Sequence, residues 1–225
     1  SVSLEIKDCL NEGVVTATKN VGGIVGCTKA IISGCVNNGS VSGSTNVGGI
    51  AGLLVDGRIS KSVNYGGLTV SAKGLGGIAG TAVGVIETSA NKGIINENTK
   101  GTGGIVGYAG KGGESTNCLT LIISECYNES ELSTNSNTAG ILCGVDSGIT
   151  TTITNCYHIG TTGYGIAATN DVTISKCYSI PTSGTLNNHI TPNDNTKVSG
   201  CYFYWAGGAT VTGATCLSHL ELLKD

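Results

Sequence analysis

One short word recurs down this chain at a nearly fixed interval. "VGGIVG" at 21–26 returns as "VGGIAG" at 47–52, "LGGIAG" at 75–80 and "TGGIVG" at 102–107, with weaker copies "TAGILC" at 138–143 and "YGIAA" at 164–168. A second word travels in phase with it: an aliphatic residue, two mostly polar residues, then Cys or Ser. Its eight copies end at Cys9, Cys35, Ser62, Ser89, Cys126, Cys156, Cys177 and Cys201, at spacings of 26, 27, 27, 37, 30, 21 and 24 residues. In the first five copies an Asn follows two places later, as Asn11, Asn37, Asn64, Asn91 and Asn128. A period of this length points to a repeat architecture, in which a position recurs because it meets its own copy in the next unit.

The contents of the repeat select the kind. Helical repeats need two helices per unit, rich in Ala, Leu, Glu and Lys. This chain offers Val, Ile, Thr, Ser, Asn and Gly, the residues of strands and turns. A period near 27 is too short for a four-stranded propeller blade, and the L-x-x-L-x-L word of leucine-rich repeats is missing. The expectation is an all-β chain: a right-handed parallel β-helix, or β-solenoid, of about eight coils with roughly 26–27 residues in each, the hand following from the preference of parallel crossovers. Three inward ladders are predicted. The first is Ile6, Ile32, Ile59, Ile86, Ile123, Ile153, Ile174 and Val198; the second is Ile24, Ile50, Ile78, Ile105, Ile141 and Ile166; the third is Val15, Val41, Leu68, Ile95 and Leu132. The Asn column is expected to bond along its own stack. The glycines of "GGI" are expected to supply positive φ or a close backbone approach.

One conflict sits inside the second word. The aliphatic residue and the Cys lie three apart, so a straight strand cannot point both inward. A corner or bulge between them resolves it, with Cys inward and the following residue outward or half-buried. That following residue is Leu10, Val36, Val63 or Ala90 in the first copies, and Tyr127, Tyr157, Tyr178 and Tyr202 in the last four.

Charged residues make up only 12% of the chain and the net charge is −3, so the basic stripe of a nucleic-acid binder is missing. No apolar run is long enough to cross a bilayer as a helix. With no Met and no signal peptide, the sequence reads as a piece of a larger protein. Polysaccharide-cleaving β-helices need clustered carboxylates with cations nearby. Here Asp8, Asp56, Asp146, Asp171 and Asp194 are scattered, and Arg58 is the only arginine. The densest acidic group is Glu125, Glu129 and Glu131 beside Tyr127, and paired carboxylates there would suit glycoside hydrolysis. His158 stands where the Asn column ends and reads as its substitute, while His189 and His219 fall in a loop and the tail. The zinc-protease word H-E-x-x-H, the calcium word G-G-x-G-x-D and the phosphate-loop word are all absent, so no cofactor and no metal are expected.

Ten cysteines would ordinarily suggest a disulfide framework. Position argues for packing instead, because six of them share one ladder site with Ser62 and Ser89. Ser replaces Cys where a small side chain is wanted, not where a bond is made. Cys27, Cys118, Cys143 and Cys216 are left without a role. The candidate ligand face is Tyr127, Tyr157, Tyr178 and Tyr202 with Glu125 and Glu129. A ten-residue lengthening of one coil, at 107–121, is a candidate binding loop and a possible wall for that face.

The stretches "VSGSTNVGGIAG" and "CVNNGSVSG" resemble the GLUG-motif repeats of bacterial surface proteins, which also occur beside secreted metalloendopeptidase domains. The resemblance covers residues 3–168 well and 169–216 loosely, and the last three coils depart from it by lacking the Asn and the full "GGI". It implies a β-solenoid on a secreted or wall-linked bacterial protein, and no chemistry of its own. The expected function is therefore a non-catalytic extracellular spacer or adhesin-like module. A carbohydrate-binding or carbohydrate-cleaving β-helix, and an accessory segment of a secreted metalloprotease, are the alternatives. A host glycan or host protein is the expected partner, with no nucleic acid, no membrane insertion, and a monomeric state. One domain is expected over 1–216, with regular coils at 3–107, the insertion at 107–121 and irregular coils at 122–216. A cap or linker follows at 217–225, where a turn or two of helix is allowed.

Overall fold

The computed structural model describes residues 4–97, 101–133, 137–169, 172–180, 182, 190–191, 197–204 and 214–217. Among them there is no helix, and short parallel strands stack into three sheets. The first face carries one strand per coil, from Glu5–Lys7 through Ile31–Ser33, Ala51–Ser60, Ala79–Glu87, Thr120–Ser124, Thr150–Thr154 and Val172–Ser175 to Val198–Ser199. Eight rungs on this path make seven turns of a parallel β-solenoid, with connections consistent with a right-handed winding. The second face is built of very short strands, from Leu10–Asn11 to Ala214–Leu217. The third holds Val15–Thr16, Val41–Gly48, Leu68–Gly76, Thr102–Gly103 and Thr138–Ala139. Each coil visits the second, third and first faces in turn. Leu217 ends a strand, and the helix allowed over 217–225 otherwise lies outside the described residues.

The Ile ladder of the first face is in register at every step, Ile6 to Ile32, Ile59, Ile86, Ile123, Ile153, Ile174 and Val198. The second ladder hands one backbone bond to the next copy from Ile24 to Ile166, and continues to a buried Ile190. On the third face Val15, Val41, Leu68 and Ile95 pair in register, and Leu132 joins them in a separate apolar cluster.

The corner between Ile and Cys is a single left-handed residue. Asp8, Gly34, Lys61, Thr88, Glu125, Asn155, Lys176 and Gly200 each stand directly before the Cys or Ser, with φ between 47° and 65°. One residue in this region ends the strand and rotates the next side chain inward. From the second coil on, both Ile and the Cys or Ser are thereby buried, whereas Ile6 is half-buried and Cys9 exposed; the residue after Cys is outward or half-buried, except for the small Ala90. Six of the eight corners are not glycine, at a cost of roughly 1–2 kcal/mol each.

The buried Cys or Ser does more than fill space. Its Sγ or Oγ donates to the carbonyl two residues back, as from Ser62 to Ser60 at 2.9 Å and from Cys156 to Thr154 at 3.2 Å. It also accepts the backbone N–H of its copy in the preceding coil. Cys35 N–H donates to Ser62 Oγ at 3.2 Å, Ser62 N–H to Ser89 Oγ at 3.2 Å, and Cys126 N–H to Cys156 Sγ at 3.4 Å. The left-handed corner turns that N–H out of the strand ladder, and a short side chain with both a donor and an acceptor replaces the lost bond. Cys and Ser share the site for this reason as well as for size. All nine cysteines whose side chains are described are free thiols.

The Asn column bonds as expected. Nδ2 of Asn11, Asn37, Asn64 and Asn91 donates to Oδ1 of the Asn one coil further on, at 2.7–2.8 Å. Each Nδ2 also donates to the carbonyl two residues along its own chain, Gly66 in the case of Asn64. The "GGI" glycines serve this column by close approach. A Cβ on Gly49 would stand 2.3 Å from Asn64 Cγ, and one on Gly48 would stand 2.1 Å from the Ala51 carbonyl. The positive φ anticipated for these glycines is not observed. They are the floor on which the carboxamides lie.

Two outcomes follow. Asn64→Ala removes one of the two acceptors of Asn37 Nδ2 and the donor to Asn91 Oδ1 inside the core. It should cost about 2–4 kcal/mol in urea titrations, against about 0.5 kcal/mol or less for the exposed Asn38→Ala. Thr88→Gly relieves a β-branched residue held at φ 47°, and should raise stability by roughly 1 kcal/mol in the same titrations.

Candidate functional site

The residues singled out from sequence lie together on the outside of the second face. Tyr127, Tyr157, Tyr178 and Tyr202 occupy successive rungs in register. Tyr127 and Tyr157 stack with centroids 4.8 Å apart and planes 4° from parallel, and Tyr157 and Tyr178 stack at 4.9 Å and 5°. The spacing is that of the coils themselves, so the rings stack because the backbone does. Lys92 Nζ caps the outer side of Tyr127, 5.3 Å from the ring centroid, and pairs with Glu129 at 3.2 Å. The Lys92 ammonium is held above its usual range by its hydrogen bond to Glu129 and then by Tyr127. Burial first, then Tyr178 and Glu129, push the Tyr157 phenol up to about 12, and burial with Glu129 raises Tyr178. Tyr157 and Tyr178 therefore stay uncharged through neutral pH.

This geometry constrains recognition. A sugar ring packs on the open face of an aromatic ring, whereas Tyr157 is covered on both faces by Tyr127 and Tyr178. Glu125 is an exposed corner residue at φ 54°, accepting a bond from Thr88 Oγ1 at 3.3 Å. Glu129 is engaged by Lys92, and Glu131 accepts Thr161 N–H and, at 2.6 Å, Thr182 Oγ1. The three carboxylates are thus spent on separate partners. Arg58 is bound by Glu87 on the first face.

The insertion at 107–121 does not wall the tyrosines. It leaves and rejoins the first face, between Val106–Ala109 and Thr120–Ser124, and folds back over it. A Cβ on Gly112 would stand 2.7 Å from the side chain of Leu53, two rungs away. Leu53 is fully buried by this cover. Cys27, in register with Leu53, stays exposed at the margin, its thiol raised by burial and then by Glu114 of the insertion. Cys118 packs against the main core, and Cys143 donates to the Asn137 carbonyl.

Two features escaped the sequence reading. Lys92 and Glu129 each stand three residues after their Ser89 or Cys126, so opposite charges at one repeat position were the available signal. The other is an open cleft of about 480 Å³ at the edge of the first face, lined by Asp146, Ile149, Thr151, Thr173 and Lys197 among others. It forms where a turn at 146–149 meets residues of the next two coils, a juxtaposition no local word encodes. Among the described residues no group of three His, Cys, Asp or Glu is placed to hold a metal ion, and no helix is long and apolar enough to cross a membrane. His189, His219, Asp171 and Asp194 lie outside the described residues.

His158 takes over the Asn column, as its sequence position suggests. Its Nδ1 stands 3.0 Å from Asn128 Nδ2, and its Nε2 is buried with no partner among the described residues. Burial outweighs the neighbouring carbonyls and holds the imidazole down to about 4, so it is neutral in the fold. Comparison with protein families, curated proteins and solved structures finds no match for this chain.

A pH dependence follows from His158. Below about 6.5 the unfolded chain takes up a proton that the folded chain refuses. Stability contributed by the neutral imidazole is full above that value and declines as pH falls toward about 4, by on the order of 3 kcal/mol in total. His158→Asn should remove this decline in denaturation titrations across that range, while the wild type shows it.

Proposed function

We propose that this chain is a non-catalytic repeat module of GLUG type from a bacterial surface or secreted protein, acting as an extracellular spacer with adhesive outer faces. The observation that carries the reading is where the reactive side chains go. Asn, Cys, Ser and His stack inside as hydrogen-bonding columns, and the carboxylates nearest one another outside are each tied to a different partner. Seven coil steps of about 4.8 Å give a rod core roughly 34 Å long, whose ends are held apart by the stacking itself. A host glycan or host protein is the expected partner, and the stacked tyrosines with Glu129 and Lys92 are the face for it.

A carbohydrate-directed β-helix is the second reading, favoured by the rings of Tyr127, Tyr157 and Tyr178, whose centroids repeat every 4.8–4.9 Å along the face. The two separate in one experiment. The isolated chain is screened on a glycan array and in a reducing-sugar assay, alongside Glu125→Gln with Glu129→Gln and Tyr127→Ala with Tyr157→Ala. The spacer-adhesin reading expects no cleavage by any form, and a binding loss in the tyrosine pair with a thermal midpoint within a few degrees of wild type. Cleavage that vanishes with Glu125→Gln contradicts it. A lowered midpoint with no change in binding assigns the tyrosines to stability alone.

A further inference from the structure

The open cleft at the edge of the first face has a lining that packing does not explain. Where that face is regular it runs as one continuous strand, as in Ala51–Ser60 and Ala79–Glu87. Between Leu142–Val145 and Thr150–Thr154 it is interrupted by the turn at 146–149, and the cleft of about 480 Å³ opens there. That volume falls in the range of about 300–1,000 Å³ typical of small-molecule sites. The turn is well tethered. Asp146 N–H donates to Ala109 O at 2.8 Å, Ile149 N–H donates to Asp146 O at 3.2 Å, and Gly148 takes φ 80°. Gly110 lies against the Asp146 carboxylate, where a Cβ would collide with it, and Lys73 Nζ stands 3.8 Å from Oδ1. The carboxylate is thus held in place beside the cleft.

Thr151 is the telling residue. It lines the cleft, it is 2% exposed, and its Oγ1 has no hydrogen-bond partner among the described residues. Its register neighbours on the adjoining rungs are aliphatic, Leu121 on one side and Val172 on the other, both 0–1% exposed. Valine has nearly the shape of threonine and would fill this position without burying a bare hydroxyl, which is destabilising. An unmet hydroxyl in a buried wall calls for a bonding partner from outside the chain. Around it the lining adds the hydroxyls of Ser147, Thr150 and Thr173, the Asp146 carboxylate and the Lys197 ammonium. We infer that the cleft is a binding site for one neutral sugar unit, with Thr151 and Asp146 bonding its hydroxyl groups. Sugar hydroxyls donate and accept at once, which suits a lining of hydroxyls with one charge of each sign. An anion would meet Asp146 and a cation would meet Lys197. A calcium ion typically takes several carboxylate or carbonyl oxygens, and the lining offers one carboxylate side chain. The site is on the first face, away from the tyrosine row of the second, and does not rest on the reading of that row.

The test follows backbone amide shifts of the full chain by nuclear magnetic resonance. The probes are the methyl glycosides of glucose, galactose, mannose and N-acetylglucosamine, with calcium chloride and glycine betaine as separate titrations. At least one glycoside should give saturable shifts at Ser147, Gly148, Thr151 and Thr173, and none at the distant Ile59. Thr151→Val should weaken that binding about fivefold or more while its thermal midpoint stays at or above that of wild type, and Asp146→Asn should weaken it about tenfold or more. The raised or equal midpoint separates a lost ligand contact from a damaged fold. No saturable shift with any glycoside overturns the inference, as does saturation by calcium or betaine in place of a glycoside. Glycoside binding that Thr151→Val leaves unchanged overturns it as well, and a lowered midpoint in Thr151→Val assigns the hydroxyl to the fold instead.

Discussion

A carboxamide buried in an apolar core brings two donors and two acceptor lone pairs, and each one left unmet costs stability. Stacking each Asn on its own copy largely answers that demand. Asn64 receives Asn37, donates to Asn91, and donates again to its own Gly66. The arrangement works only if the copies stand one coil apart and aligned, so the column fixes register along the solenoid. A slip by one residue would strand every carboxamide at once. The aliphatic ladders supply most of the burial, but apolar contacts tolerate a slip that the Asn column does not.

Other features of the fold serve this alignment. The second "GGI" glycine lies under the carboxamide, where a Cβ would collide with it. The left-handed corner lets an Ile, a Cys and an Asn within six residues all point inward, and the thiol or hydroxyl then bonds the N–H that the corner displaces. Where the Asn is given up, the column decays by stages. His158 accepts the last bond but leaves Nε2 unmet, Ser179 leaves its hydroxyl unmet, and Phe203 closes the series with an apolar side chain. The tyrosines replace the smaller outward residues over these same coils, so ring stacking appears where the inner column weakens.

What could be read from sequence was whatever stacks on its own copy. The Ile ladder, the Asn column and the tyrosine row are vertical features, and a repeated word exposes them. Horizontal features were hidden. The corner residue is Asp, Gly, Lys, Thr, Glu or Asn in different coils, with no shared chemistry, and only the parity of Ile and Cys betrayed it. The insertion at 107–121 could be placed but not aimed, because its resting place on Leu53 depends on a coil far back in the chain. Ile190 continues the second ladder from a stretch, "NNHITP", that holds no "GGI" word at all. The four tyrosines do stand on successive rungs, but the pairing of Glu129 with Lys92 and the stacking of Tyr127, Tyr157 and Tyr178 were not legible in the sequence.

The Asn carboxamides bond continuously from coil to coil inside the solenoid. Side-chain hydrogen exchange measured by nuclear magnetic resonance tests it directly, with the exposed Asn38 as the internal reference. The Nδ2 protons of Asn37, Asn64 and Asn91 should exchange at least about a hundredfold more slowly than those of Asn38, in step with the amides of Ile59 and Ile86. Exchange of Asn64 at the rate of Asn38, with the Ile amides still protected, would contradict it.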